Sequence, residues 1–170
     1  GVDLFLVISG FVIALAVING ISKAGSPGAF RRDFAERRWR RIAPLYFLTL
    51  LAFLFMVQPG LLLQGWQVMA WHVGTHALFL HNLTVDTHGS INGPNWSGAL
   101  EMQFYLLMLV FGPWLVRQRP WLSALLLIGL ALAWRAGTFL ALGGADAAAH
   151  KMHIFTTQLP GSLDEFAVGI

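Results

Sequence analysis

The sequence predicts an all-α protein, a polytopic transmembrane helical bundle of about four spans plus a re-entrant or interfacial helix. Three observations predict it. Hydrophobic residues make up 56% of the 170 positions and charged residues 11%, whereas a soluble domain carries about 25% charged residues. The apolar residues fall in long blocks rather than at the spacing of an amphipathic core helix. Seven of the eleven basic residues (Lys23, Arg31, Arg32, Arg37, Arg38, Arg40 and Arg41) lie in one interval between two such blocks. That clustering makes the net charge of +3 a topology signal, so membrane lipids and not nucleic acid are the expected surroundings. The chain has no cysteine, which excludes disulfides and thiolate metal sites.

Val2 to Ile21 is nearly continuous in Leu, Phe, Val, Ile and Ala. At about 1.5 Å per residue it covers a hydrocarbon core of about 30 Å. No basic leader or small-residue cleavage site accompanies it, so it reads as a mature span and not a signal peptide. Ser22 to Ala43 begins in Gly, Ser and Pro and continues as a basic run whose Phe30, Phe34 and Ile42 can anchor an interfacial helix. Pro44 then starts the next helix. Leu45 to Val57 is apolar but short, and Gln58, Pro59 and Gly60 stop it, so it borrows Ile42 and Ala43 or lines protein.

Leu61 to Leu80 is interrupted by Gln64, Gln67, His72 and His76, each costly in hydrocarbon. It reads as a non-spanning or re-entrant helix. His81 to Ser97 has loop chemistry. Gly98 to Val116 and Trp121 to Leu142 are spans joined by a tight turn at Arg117 to Pro120. Gly143 to Pro160 reads as a second loop, and Gly161 to Ile170 as the polar start of a further span. Trp66, Trp71, Trp96, Trp114 and Trp121 near the span ends fit an aromatic belt.

Basic side chains mark the cytoplasmic side. The Lys23 to Arg41 interval and the Arg117 to Arg119 turn therefore face the cytoplasm, while Gly1 and the two long loops lie outside. Asp3, Glu101, Asp164 and Glu165 then sit at the outer ends of apolar segments, segregated from the arginines at the inner face. A carboxylate near the hydrocarbon boundary can exchange protons near neutral pH, and intramembrane ionisable groups are functional candidates by default. For Asp3 the competing reading is complementation of the helix dipole. For Glu101 it is a structural ion pair, with Arg135 as partner.

Arg38 and Arg41 are three apart on one helix face, and guanidinium forks suit phosphates; topology or anionic lipid is the alternative. His72 and His76 have the spacing of a chelating pair, but no Glu follows the first as in H-E-x-x-H and no third ligand is evident, so no metal is expected. His81, His88, His150 and His153 lie in the loops or near the outer interface, where histidines are ordinarily solvated or carbohydrate-facing.

Three stretches together resemble the acyltransferase 3 family of membrane acyltransferases, which includes bacterial O-acetyltransferases of surface polysaccharides. Gly1 to Phe11 (GVDLFLVISGF) is similar to that family's GVDLFFVLSGF segment. Arg37 to Tyr46 (RRWRRIAPLY) resembles the cytoplasmic RRxxRIxPxY run, and Asn95 to Leu106 (NWSGALEMQFYL) resembles WSLxxExxFYL, with Gly98 where Leu is usual. Leu163 to Gly169 is also similar to a RLDEFLLG segment, with Ser162 replacing the usual Arg. The family's leading span carries an R-x10-H signature whose His is regarded as the catalytic base; that segment would precede Gly1, so residues 1–170 are expected to be a partial domain lacking the leading and later spans.

The resemblance implies acyl transfer, with acyl-CoA, acetyl-CoA foremost, as donor and a hydroxyl of an extracytoplasmic glycan as acceptor, in the plasma (inner) membrane with multiple passes. By the same resemblance Arg38, Arg41 and Arg37 would bind the donor. Glu101 and Asp3 would be the catalytic carboxylates, and Trp96, Ser97, Tyr105 and Asp164 would bind substrate. The rival reading is a transporter or lipid-translocating protein in which Glu101 couples proton movement.

Overall fold

The computed structural model describes residues 1–144 and 149–170. It is built from helices, with no strand among the described residues. In chain order they are α1 (Val2–Lys23), α2 (Pro27–Met56), α3 (Trp66–Ala77), α4 (Asn95–Leu115), α5 (Pro120–Ala141), α6 (Ala149–Thr156) and α7 (Leu163–Gly169), with short 3-10 turns at Pro59–Leu63, His81–Leu83 and Leu159–Ser162. Four of them, α1, α2, α4 and α5, are long and apolar enough to cross a membrane. They alternate in direction, so Lys23, Pro27, Leu115 and Pro120 share one end of the bundle, the basic end, and Val2, Met56, Asn95 and Ala141 share the other.

The polar residue types fix the helix ends. Ser26 caps α2, its Oγ accepting from the Ala29 N–H at 3.2 Å, and Pro27 follows at the first helical position, where a missing N–H costs nothing. The helix then runs 30 residues to Met56 with Pro44 inside it. Pro44 therefore does not start a helix, contrary to the sequence expectation. Its side chain is exposed on the helix surface, where the carbonyl it leaves without a partner is not sealed in the core. The continuity also removes the length problem of Leu45 to Val57, because α2 is one rod of about 45 Å.

Helix α1 packs its Leu6, Ile13 and Val17 face against Leu100, Phe104 and Met108 of α4, and Phe166 of α7 stacks on Phe104 with centroids 3.7 Å apart. The α1 and α7 backbones nearly touch. A Cβ on Gly10 would stand 2.3 Å from the Phe166 carbonyl oxygen, and one on Gly169 would stand 2.1 Å from the Val7 carbonyl oxygen. Only glycine allows this approach. Large apolar side chains remain open to the surroundings, among them Leu45, Leu106, Leu125, Leu132 and Leu140, as a hydrocarbon solvent permits and water does not.

Two further expectations change. Part of the Gly143 to Pro160 stretch is the helix α6, tied to α5 by the Trp134 indole donating to the Phe155 carbonyl at 2.8 Å; residues 145–148 of that stretch lie outside the described residues. The His81 to Ser97 stretch is not a solvated loop: His81, Asn82, Thr87, Ile91 and Asn92 are all buried, and α4 already begins at Asn95.

Candidate functional site

The basic run of α2 carries its own carboxylates at i, i+4 spacing. Arg37 Nε donates to Asp33 Oδ1 at 3.0 Å, and Arg40 lies 2.7 Å from Glu36 Oε1. Arg38 and Arg41 have no carboxylate within salt-bridge distance among the described residues. Of the six arginines of the run, Arg37 and Arg40 are therefore internally neutralised, while Arg31, Arg32, Arg38 and Arg41 keep their charge available; Arg38 and Arg41 are the pair three apart on one helix face. The partnered pairs are exposed, and such pairs are worth little to stability.

Arg38 does not stay at the helix end. Eleven residues into α2, about 16 Å along the axis, its guanidinium lies over the rings of both Phe34 and Tyr105, 5.4 Å from each centroid. Tyr105 is at the midpoint of the 21-residue α4, and its hydroxyl donates to Glu101 Oε1 one turn nearer the far end. Arg38, Tyr105 and Glu101 thus form a line from the basic end through the middle of the bundle. The expected separation of arginines at one face from carboxylates at the other is corrected to this contact at mid-depth. A cavity of about 570 Å³ opens beside it, walled mainly by apolar side chains including Trp39, Phe79, Leu106 and Leu109, with Arg38 and Gln103 among its polar members.

Glu101 is buried, 6% exposed, and Tyr105, not Arg135, is its partner. Arg135 instead grips Asp164 with two parallel hydrogen bonds of 2.8 and 2.9 Å and comes within 3.9 Å of Glu165. A cation thus stands beside Asp164, supplied by Arg135 of α5, while Ser162 occupies the position where the resembled segment has Arg. Asp3, in the first turn of α1, is exposed and lies close enough to Glu165 for their charges to interact. Asp3, Asp164, Glu165 and Arg135 form a second cluster, assembled by α1, α5 and α7.

The segment from Trp66 to Pro94 folds into the bundle. Helix α3 has 12 residues, about 18 Å and too short to span. It leads to Phe79, whose ring packs on Trp39, Tyr46 and Phe47. Gln103, eight residues into α4, donates to the Phe79 carbonyl at 2.7 Å and to Asn82 Oδ1 at 2.7 Å, so the tip sits about 12 Å below the end of α4. The chain then climbs back beside α3, with Trp71 donating to Asp86 at 2.8 Å and His72 Nδ1 meeting Ser90 Oγ at 2.8 Å. Of the two readings of Leu61 to Leu80, this geometry is the re-entrant one.

Burial makes protonation of His76, His81 and His88 unfavourable. It lowers His76 to about 4, and together with the neighbouring His76 and His88 it lowers His81 to about 3. Trp96 is half-buried and lies 6.1 Å from the His88 ring, and Ser97 Oγ donates to the Pro94 carbonyl at 3.1 Å. Tyr46, His76, His81, Asn92 and Asn95 were not among the residues expected at a site. Tyr46 and Asn95 lie in the stretches that carry the resemblance, and the His72/His76 spacing reads differently in three dimensions: His72 faces Ser90, while His76 Nδ1 turns back to the His72 carbonyl at 2.8 Å.

A family model described as an acyltransferase domain matches residues 1–159. Comparisons with curated proteins and with solved structures found no match.

Proposed function

Because the chain belongs to the acyltransferase 3 family, we propose that it moves an acyl group, acetyl first, from cytoplasmic acyl-CoA to a hydroxyl of an extracytoplasmic glycan or related acceptor. The observation that carries this reading is the line Arg38, Tyr105, Glu101. It joins an arginine with unspent charge to a buried carboxylate in the opposite half of the bundle. In this reading the CoA phosphates bind Arg38 and Arg41, with Arg37 flanking them, since guanidinium forks match phosphate oxygens. The pantetheine and its thioester extend along the cavity beside Tyr105.

The acceptor oxygen attacks the thioester carbonyl carbon. The new C–O ester bond forms, the C–S bond breaks, CoA leaves as thiolate, and the hydroxyl proton passes to a base. Glu101 holds or relays that proton through Tyr105. Trp96 and Ser97, at the start of α4, face the acceptor, and Asp3 and Asp164 border its approach. The membrane supplies the surrounding lipid, and the four long helices cross it with the basic end in the cytoplasm.

The test is donor kinetics in the full-length protein. Arg38→Ala with Arg41→Ala raises the KM for acetyl-CoA, each lost charge-assisted phosphate contact costing about 1.5 to 3 kcal/mol. Unchanged donor KM in a correctly inserted double variant assigns both arginines to topology and removes the donor site.

A further inference from the structure

Two like charges share a cavity at the basic end of the bundle, and no carboxylate lines it with them. The cavity, of about 470 Å³, lies where the end of α1, the start of α2 and the last turns of α4 meet. Phe30, Val110, Pro113 and Trp114 form much of its wall, and Arg31 and Arg117 are the charged side chains that line it. Neither arginine has a carboxylate within salt-bridge distance among the described residues. The imbalance is written in the sequence. No acidic residue occurs from position 4 to 32 or from 102 to 144, and Asp33, the acid nearest to Arg31 along the chain, is already held by Arg37. Two guanidinium groups bordering one space repel each other. An anion between them replaces that repulsion with charge-assisted hydrogen bonds.

Helix α4 indicates which kind of anion fits. Leu106, Val110 and Trp114 are spaced four apart and so lie on one helix face, and all three are exposed. Arg117, three residues further on, ends the row, which is about 16 Å long. Its apolar part borders the hydrocarbon, and Trp114 beside the arginine has the place an indole takes at a membrane surface. A pair of cations above a continuous apolar strip matches a molecule with a phosphate at one end and an alkyl chain at the other. A water-soluble phosphate ester can use the arginines but not the strip. Arg38 and Arg41 do not line this cavity, so it is separate from the site assigned to the donor.

We propose that Arg31 and Arg117 hold the phosphate of an anionic phospholipid from the leaflet at the basic end, with an acyl chain laid along Trp114, Val110 and Leu106. Basic recesses between membrane helices take such head groups. The lipid ties the start of α2 to the turn between α4 and α5, and its binding stands without the acyl-transfer reading.

The experiment is native mass spectrometry of the full-length protein released from detergent micelles carrying phosphatidylglycerol or phosphatidylcholine, repeated with inorganic phosphate and with acetyl-CoA as competitors. The expected result is one retained phosphatidylglycerol, held about tenfold or more tighter than phosphatidylcholine. Arg31→Gln with Arg117→Gln abolishes that preference, whereas Arg32→Gln with Arg119→Gln removes the same charge from outside the cavity and keeps it. Equal retention of the two lipids overturns the proposal. So does an equal loss of preference in both double variants, which leaves only the diffuse attraction of a basic surface. Displacement of the lipid by inorganic phosphate assigns the cavity to a free anion, and displacement by acetyl-CoA assigns it to the donor; either result overturns the lipid site, the second with acyl transfer left standing. Should the Arg31 and Arg117 variant fail to insert, lipids brominated on their acyl chains decide with the unmodified protein and Trp114→Phe. The emission that Trp114→Phe removes is quenched more by brominated phosphatidylglycerol than by brominated phosphatidylcholine, and equal quenching refutes the site.

Discussion

The α1/α7 crossing and the re-entrant fold are two buried regions of the molecule built on opposite terms. At the crossing, Gly10 and Gly169 bring two backbones into contact and Phe166 closes over Phe104, so shape is satisfied. In the re-entrant fold the side chains are equally buried, yet polar atoms are left over. A region that exhausts its contacts is a scaffold, and one that keeps unspent polar capacity in its interior carries a desolvation cost that no contact relieves.

The largest effect is expected where that scaffold is broken. Gly10→Val places side-chain carbons where the Phe166 carbonyl already stands, a clash costing about 3 kcal/mol or more. The folded protein should be lost from membranes, seen by immunoblot, whereas a normal level would mean that α1 and α7 do not cross as closely as described.

Next is Glu101→Gln, which keeps size and hydrogen bonding but removes the titratable proton. Acyl transfer in the full-length protein should fall by about 10² or more at normal abundance and with acetyl-CoA binding retained. Reduced abundance with normal activity per molecule would move Glu101 into the scaffold.

The smallest effect concerns the histidines. His76 and His81 are held neutral in the fold, with values near 4 and 3, while the unfolded chain takes up protons near 6.5. Between those values the unfolded state binds more protons, so stability is full above about 6.5 and falls as the pH is lowered. At pH 5 each should contribute about 2 kcal/mol of destabilisation. Thermal melts in detergent should show Tm falling from pH 7 to pH 5, and His76→Phe with His81→Phe should flatten that slope. An unflattened slope would assign the acid sensitivity to His88, which burial also holds below its ordinary value.

The sequence showed the long apolar blocks plainly, because a membrane span is written in one continuous stretch and needs no partner to be recognised. Pro44 misled because a proline usually marks a boundary, and its tolerance in α2 depends on where its ring faces in three dimensions. The short helix α6 was hidden in a stretch with no apolar period. At the site, Glu101 and Tyr105 stand one turn apart on one helix and could be read together, and the Asp33/Arg37 and Glu36/Arg40 spacings already contained the distinction that leaves Arg38 and Arg41 unpartnered. The buried histidines could not be read from sequence. Asn, Thr, Asp and Gly look the same whether a loop faces water or packs beneath α2, and only contacts between distant residues, such as Gln103 with Asn82, separate the two.

Pro44 inside α2 has a mechanical consequence. It offers no N–H to the Arg40 carbonyl, so the rod has its softest joint there, between the arginine pair on one side and Tyr46 on the other. Tyr46 is also the residue whose hydroxyl ties α2 to His76 and His81. A load placed on Arg38 and Arg41 would be taken up first at Pro44, and a tilt of the upper half-helix would reach the stacked His76 and His81 rings through the Tyr46 phenol.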